Sequence, residues 1–399
     1  MPRPLSILCL LRDPLPPRRA DVLTLFGVEL PRHGIHTVLV GQAAAHATLA
    51  WPGGALHRSG NFGGAVNSLL APFRDAWGLL RAWRSASADC LQVRDKILIA
   101  VLALAAARLL RIPFVYWMSF PIVEGYAVHA RAGAVRFAAL HWLRAWLTDS
   151  LLYRLVLPHA DLVFVQSAAM ADALAARGIS RARLTAVPMG VDLALAARVT
   201  PAQDARLDGR RVVVYVGSVA RARGSLFLLE LADALLSSRP DVLLVIAGDA
   251  PSPAEATWFR AELARRALGD KLVFTGWLPH DKALGYVARA EVGLAPIPRG
   301  VLFDVSSPTK LVEYLALGVP AVASDIPDLR LVIEQSGAGV CVPMTVPAFC
   351  AAIVRLLDDP DRRARGARGR AWVAAHRSYD VIGRNVAQRY RSLLAPGEA

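Results

Sequence analysis

The stretch VSSPTKLVEYLALGVPAVAS, Val305 to Ser324, gathers three hydroxyls, a cation and a carboxylate: Ser306, Ser307, Thr309, Lys310 and Glu313. Pro308 suits the first turn of a helix, where its missing N–H would be unpaired anyway. Ser306 or Ser307 is then expected at the N-cap, and the helix is expected to run to Leu317 and stop at Gly318. Such a helix start offers unpaired N–H groups and the positive end of the dipole, which together suit an anion. Lys310 adds charge, so the chemistry expected here is binding of a diphosphate. Glu313 follows about one and a half turns into the helix. It either faces solvent, as isolated helix carboxylates usually do, or accepts hydrogen bonds from two vicinal hydroxyls such as a ribose presents.

The elements that must position these groups alternate along the chain. Apolar runs LSILCLL, TVLVG, ADCLQV, PFVYWM, DLVFVQ and RLTAVP are separated by longer helical patterns. The rhythm restarts after residue 200 with RRVVVYVG, DVLLVIAGD, KLVFTG, EVGLAP and PAVAS. Strands alternating with helices imply parallel sheets covered on both faces. Glycine, proline and a polarity change between 190 and 203 place a domain boundary there, giving domains 1–195 and 196–376. The segment from about 361 to 394 reads as helical and arginine-rich. In doubly wound sheets ligands bind beyond the carboxyl ends of the strands. That rule selects Asp13, Arg94, Asp95 and Ser119 in the first half, and Ser218, Asp249 and Pro296 in the second. Two such sheets facing each other would form an interdomain cleft.

Bulk composition narrows the partners. The 399 residues are 55% hydrophobic with a net charge of +14, so a large core is expected and the partners are anionic. Nucleic acid is not expected, because the arginines are dispersed and no RNP, helix-turn-helix or zinc-finger pattern occurs. Cys9, Cys90, Cys341 and Cys350 form no close pair, so free thiols in a reducing cytoplasm are expected. The start MPRPLSILCLLRDPLPP is a poor signal peptide, since its apolar run ends at Arg12 and Asp13. ILIAVLALAAARLL, from Ile97, is shorter than the roughly 20 residues a spanning helix needs. A cytoplasmic protein is expected, either free or peripheral at the inner membrane face.

Four ordered segments carry a resemblance. The first is SSPTKLVEYLALGVPAVAS itself. The others are YVGSVARARGSLFLLELADAL, KLVFTGWLPHDKALGYVARAEVGLAPI and HADLVFVQSAAMADALAARGISRARLTAVPMGVDL. Together they resemble retaining GT-B glycosyltransferases of family 4, most clearly from Asp161 to Pro343. The resemblance implies an α/β GT-B fold of two Rossmann-like domains, with the helix 377–399 returning to the first. It implies sugar transfer from a nucleotide sugar to a glycan or a polyprenyl- or lipid-linked acceptor, in surface polysaccharide or glycolipid biosynthesis. No metal and no cofactor beyond the donor cosubstrate is expected. Glu313 matches the glutamate that holds the ribose hydroxyls. Ser306, Ser307, Thr309 and Lys310 occupy the turn that meets the diphosphate or sugar. Arg223 matches a basic position that neutralises the diphosphate, and arginine's fork suits phosphate oxygens. Gly217 admits the donor to the backbone, and Trp277, Leu278 and Pro279 fall in the loop that touches the base.

The sequence departs from the family pattern at Val305, where a first glutamate is usual, and at Ser218, where an arginine is usual. Asp304 and Arg221 are the expected replacements. Acceptor-side catalytic groups are expected among Asp95, Ser119 and Glu124, with Arg223 stabilising the leaving diphosphate; Arg18, Arg19, Asp13 and Asp21 lie in the basic loop near the N-terminus. From 127 to 157 the chain is helical and basic, with Arg136, Arg144 and Arg154 beside Phe137, Leu140, Trp142, Trp146, Leu147 and Leu151. This segment either packs on the sheet or lies on an anionic membrane surface. Two other readings stand beside transfer: nucleotide-sugar epimerisation, and a non-catalytic GT-B partner subunit suggested by Val305 and Ser218.

Overall fold

The computed structural model describes residues 3–17, 19–44, 50–61, 65–131, 138–266 and 268–395. They form two compact units, one of residues 1–188 with 379–399 and one of 189–378.

The first unit holds a seven-stranded parallel sheet in the order β3-β2-β1-β4-β5-β6-β7. Its strands are β1 (Leu5–Leu10), β2 (Ile35–Ala43), β3 (Gly54–Asn61), β4 (Cys90–Arg94), β5 (Phe114–Met118), β6 (Leu162–Val165) and β7 (Leu184–Ala186). The central strands are buried and largely apolar because helices cover both of their faces, with Gln92 and Arg94 of β4 as buried polar exceptions. The edge strand β3, GALHRSGN, was not legible as a strand: it is polar and glycine-bearing, as an edge exposed to water allows.

The second unit holds a six-stranded parallel sheet in the order β10-β9-β8-β11-β12-β13. Its strands are β8 (Arg211–Val216), β9 (Val242–Ala247), β10 (Leu272–Gly276), β11 (Val292–Ala295), β12 (Ala321–Ser324) and β13 (Gly339–Val342). The short strand β13 is an addition to those read from the sequence.

The first unit ends at Pro188, ahead of residue 195, for a local reason. The Met189 N–H donates to Ser307 Oγ at 3.0 Å and the Val191 N–H donates to Arg377 O at 2.8 Å, which ties both residues into the second unit. The arginine-rich C-terminal region is two helices, Arg362–His376 and Tyr379–Leu394, divided at Arg377 and Ser378. The second of them returns to the first unit. Tyr379, Ile382, Val386 and Tyr390 enter the core there, and the Tyr390 hydroxyl donates to Gln92 on β4.

One helical layer of the first unit leaves apolar side chains in water. Helix Ala65–Ser85 packs beside Ile97–Leu110, which packs beside Ser150–Val156, the continuation of Ala138–Asp149. Phe73, Trp77, Leu102, Leu109, Leu143 and Trp146 all stand exposed, Leu109 to 85%. Arg136 and Phe137 lie outside the described residues, as does the side chain of Leu140. Among the described residues no helix is long and apolar enough to cross a membrane.

Truncation after Ser378 removes the Tyr379, Ile382, Val386 and Tyr390 side chains from the first unit's core. The expected outcome is a protease-sensitive first unit beside a protease-resistant second unit, read by limited proteolysis with mass spectrometry.

Candidate functional site

In the second unit, β8 and β9 run into glycines and β10 ends on one: Gly217, Gly248 and Gly276, at φ of 142°, 153° and 68°. The Gly217 N–H donates to Ala247 O at 3.0 Å, and the Gly248 N–H to Gly276 O at 3.1 Å. A Cβ on Gly248 would lie 2.0 Å from Gly217 O, so only glycine permits this approach. A Cβ on Gly217 would lie 3.3 Å from Lys310 Nζ, which places that amine against the turn after β8.

Lys310 reaches this turn from the helix Thr309–Ala316. The helix is seated by Tyr314, whose hydroxyl accepts the Val216 N–H at 2.9 Å and donates to Leu294 O at 3.1 Å. Its ring occupies the space a side chain on Gly293 would need. Leu311, Val312 and Leu315 complete the buried face. Lys310 is consequently buried, with Nζ 4.1 Å from the centre of the Tyr215 ring. Burial, then the Arg223 guanidinium, pull its pKa down to about 7 against the opposing pull of Glu313.

Glu313 does not occupy a solvated face. Its side chain is 14% exposed, and its Oε1 lies 3.3 Å from Nε2 of His280, which is 50% exposed. The hydrogen bond to Glu313 raises the His280 pKa, outweighing burial. His280 was missed in the sequence, although it directly follows the Trp277–Pro279 loop; the signal was a histidine opening a helix beside that loop. Trp277 is 74% exposed and Leu278 is partly buried.

The serine-capped helix start is not formed. The N-cap is Pro308, and no side chain caps the helix. Ser307 is drawn into a buried network instead: its hydroxyl donates to Asp328 Oδ2 at 2.8 Å, and Arg377 holds Asp328 Oδ1 at 2.6 Å. A buried carboxylate and guanidinium so close outcompete the helix N–H groups for that hydroxyl. Ser306 Oγ donates to Phe303 O at 2.6 Å. Thr309 is the first residue of the helix and is half-buried.

The remaining donor-side positions have partners of their own. Asp304 is clamped by the Arg299 guanidinium, at 2.8 and 3.1 Å, and by the Gly300 N–H at 3.2 Å. The Ser218 carbonyl accepts the Tyr215 hydroxyl at 2.8 Å. The Arg221 guanidinium lies 4.1 Å from the Trp258 ring centre, and the Arg221 backbone N–H donates to Glu255 Oε2 at 3.0 Å. Asp249 accepts the Ala250 N–H at 2.8 Å and Arg260 at 3.3 Å. Arg223 closes the short 3-10 turn Arg221–Arg223 ahead of Gly224, at φ 81°.

In the first unit the structure brings Asp95 and Ser119 together at the ends of β4 and β5. Asp95, at φ 56°, accepts the Ser119 N–H at 2.8 Å and also its hydroxyl. Burial raises the Asp95 pKa despite Arg94 and Ser119. The wholly buried Arg94 pairs with Asp21, which Arg19 also holds. Burial pushes the Asp21 carboxyl up, but the two guanidiniums outweigh it and keep it below the usual range. Glu124 accepts the Tyr153 hydroxyl at 2.8 Å and lies 3.1 Å from Arg177. Arg144 is held by Tyr126, at 2.9 Å from its hydroxyl. Arg18 lies outside the described residues.

Lys310 generates a stability prediction. Below about pH 7 folded and unfolded chains both carry its proton, and the buried charge costs most there. Between about 7 and the ordinary 10.5 only the unfolded chain binds the proton, so stability rises with pH across that window. Lys310→Met is expected to flatten that rise. It should also raise Tm on the acid side by roughly 2–4 °C for each kcal/mol regained, measured by calorimetry across pH.

Comparison with known proteins agrees with this architecture. Residues 210–359 match the family described as glycosyl transferases group 1, and residues 21–190 match the glycosyl transferase 4-like domain. Alpha-D-kanosaminyltransferase of Streptomyces kanamyceticus is 31% identical over 189 residues. That alignment covers 47% of this chain and 47% of the relative, so the chain spans about half of that curated relative. Among solved structures, sucrose-phosphate synthase from Thermosynechococcus elongatus superimposes with a TM-score of 0.72 at 21% identity, covering 98% of this chain and 99% of that one. The Anabaena protein HepE, solved in complex with UDP, superimposes with a TM-score of 0.69 at 16% identity, covering 97% and 100%. With both halves matched and the two parallel-sheet units in place, the chain belongs to the group 1 glycosyl transferases and has the GT-B fold.

Proposed function

We propose that the protein moves a sugar from a nucleotide-sugar donor to a glycan or lipid-linked acceptor, with retention of configuration, in surface polysaccharide or glycolipid biosynthesis. The observation that carries this reading is the Lys310 amine set against the glycine turn after β8, with the charges of Arg223 and Glu313 acting on it. A buried amine near neutrality becomes a full cation once a diphosphate supplies the opposing charge. Lys310 and Arg223 then stabilise the charge that develops as the sugar C1–phosphate oxygen bond breaks. The acceptor oxygen bonds to C1 on the same face, and its proton passes to the departing phosphate oxygen.

Other residues have supporting roles in this proposal. Gly217 lets the diphosphate approach the backbone, and Ser306 and Thr309 lie beside it. Ser307 acts as a positioning residue through Asp328 and Arg377. Trp277 and Leu278 flank the base, Glu313 takes the ribose hydroxyls, and Asp304 faces the sugar. Asp249, Ser218 and Arg221 line the neighbouring strand ends. On the acceptor side, Asp95, Ser119 and Glu124 shape the first unit's strand ends. HepE's bound UDP supports a nucleotide donor.

The acceptor reading rests on the exposed helical layer of the first unit. Phe73, Trp77, Leu102, Leu109, Leu143 and Trp146 each stand exposed on the helices of this layer, and exposed apolar side chains gathered in one layer mark interaction surfaces. Arg81, Arg84 and Arg111 stand exposed among the same helices. Aromatic and leucine side chains bordered by arginine suit the interface of an anionic membrane, where a lipid-linked acceptor is presented.

A panel of UDP-, GDP- and ADP-sugars tests the donor site by thermal shift and turnover. Glu313→Ala is expected to keep its circular dichroism and lose turnover on the order of a hundredfold, as expected when a charge-assisted contact to the donor is removed. Full activity in that variant would place the ribose elsewhere, and stabilisation by no donor would favour a non-catalytic subunit. For the membrane face, the triple variant Trp77→Ser, Leu102→Ser, Trp146→Ser is expected to lose co-sedimentation with phosphatidylglycerol vesicles. Undiminished sedimentation would remove the membrane from the proposal.

A further inference from the structure

His280 stands where the donor reading needs open space. It is the first residue of the helix His280–Ala288, just after the exposed Trp277 loop. Its Nε2 lies 3.3 Å from Glu313 Oε1. A carboxylate that grips a vicinal diol needs both of its oxygens, and one of Glu313's already has a partner. Glu313 is largely enclosed, on a helix held by Tyr314, whereas the imidazole is half in water. Of the two, the imidazole is the one able to leave.

We propose that His280 is a specificity-determining residue that competes with the donor's ribose for Glu313, so that discrimination between ribose and deoxyribose depends on the charge of the imidazole. The inference rests on the proposed donor site. As imidazolium, His280 forms an ion pair with Glu313, and a diol must displace it. As neutral imidazole it loses that ion pair and yields the carboxylate more readily. The charged groups around it act in known directions. Glu313 and Asp281 favour its proton, and burial opposes it. The helix N-terminus also disfavours a cation at this position. Lys310 also changes charge near pH 7 and feels Glu313, so His280→Ala, which keeps Lys310, is the control for its contribution.

The test compares UDP, GDP and ADP with their 2′,3′-dideoxy counterparts by isothermal titration calorimetry, from about pH 6 to about pH 8, the range over which histidine changes charge. The ratio of dideoxy to ribo Kd cancels titration of the phosphates. In the wild type this ratio is expected to rise with pH, by on the order of tenfold, the equivalent of one hydrogen bond to a charged group. In His280→Ala it should be flat and already high at the acid end. A flat ratio in the wild type, or a rise that persists in His280→Ala, overturns the proposal. Glu313→Ala separates the two levels. If it erases the ribose preference while the wild-type ratio is flat, the donor site stands and the role of His280 falls. If the ribose preference survives in Glu313→Ala, or no nucleoside diphosphate binds, the donor-site reading falls and takes this inference with it.

Discussion

The hydroxyl of Tyr314 joins two strand ends to one helix. It accepts a backbone N–H from the end of β8 and donates to a carbonyl of β11, inside a core where neither backbone group has water to turn to. Everything on the Thr309–Ala316 helix inherits its position from that pair of bonds. Lys310, one turn before Tyr314, is set against the Gly217 turn, and Glu313, one residue before it, is turned toward His280. Gly293 belongs to the same constraint, since any larger residue there would push the Tyr314 ring, and with it the helix, off the sheet.

Electrostatics follows from that placement. An amine on a surface lysine would be fully charged and indifferent to its neighbours. Buried against Tyr215 and near Arg223, Lys310 is held near neutrality, so its charge depends on what binds beside it. Around it, the protein has already paired most of its other charges: Asp304 with Arg299, Asp249 with Arg260, and Asp328 with Arg377.

The first unit uses burial differently. Arg94 sits with no exposure at the end of β4, paired with Asp21 and lying 5.3 Å from the Trp117 ring centre. Asp95 takes a left-handed backbone conformation beside it, and both of its oxygens are satisfied by Ser119. Breaking one member of such a buried cluster leaves an uncompensated charge, which costs more than the pair contributes. The cluster therefore specifies the geometry of these strand ends. The C-terminal helix closes the same unit from its other end of sequence, with Tyr390 reaching Gln92 on β4.

By itself the sequence determined the alternation of strands and helices, the two parallel sheets and the family. These depend on local apolar runs and on segments read in order. It also drew attention to Lys310 and Glu313, charged residues in an apolar helical stretch that are visible without coordinates, while Arg223 was marked only through the resemblance to the family. It could not show β3, whose polar residues satisfy an edge and not a core. Nor could it show that Ser307 would abandon the helix start, since Asp328 and Arg377 approach it only in the folded unit. The pairing of His280 with Glu313 and the burial of Lys310 were likewise decided by tertiary structure. Each depends on a distance across the fold, and sequence spacing carries no information about which distant side chain will remove the water from a charge.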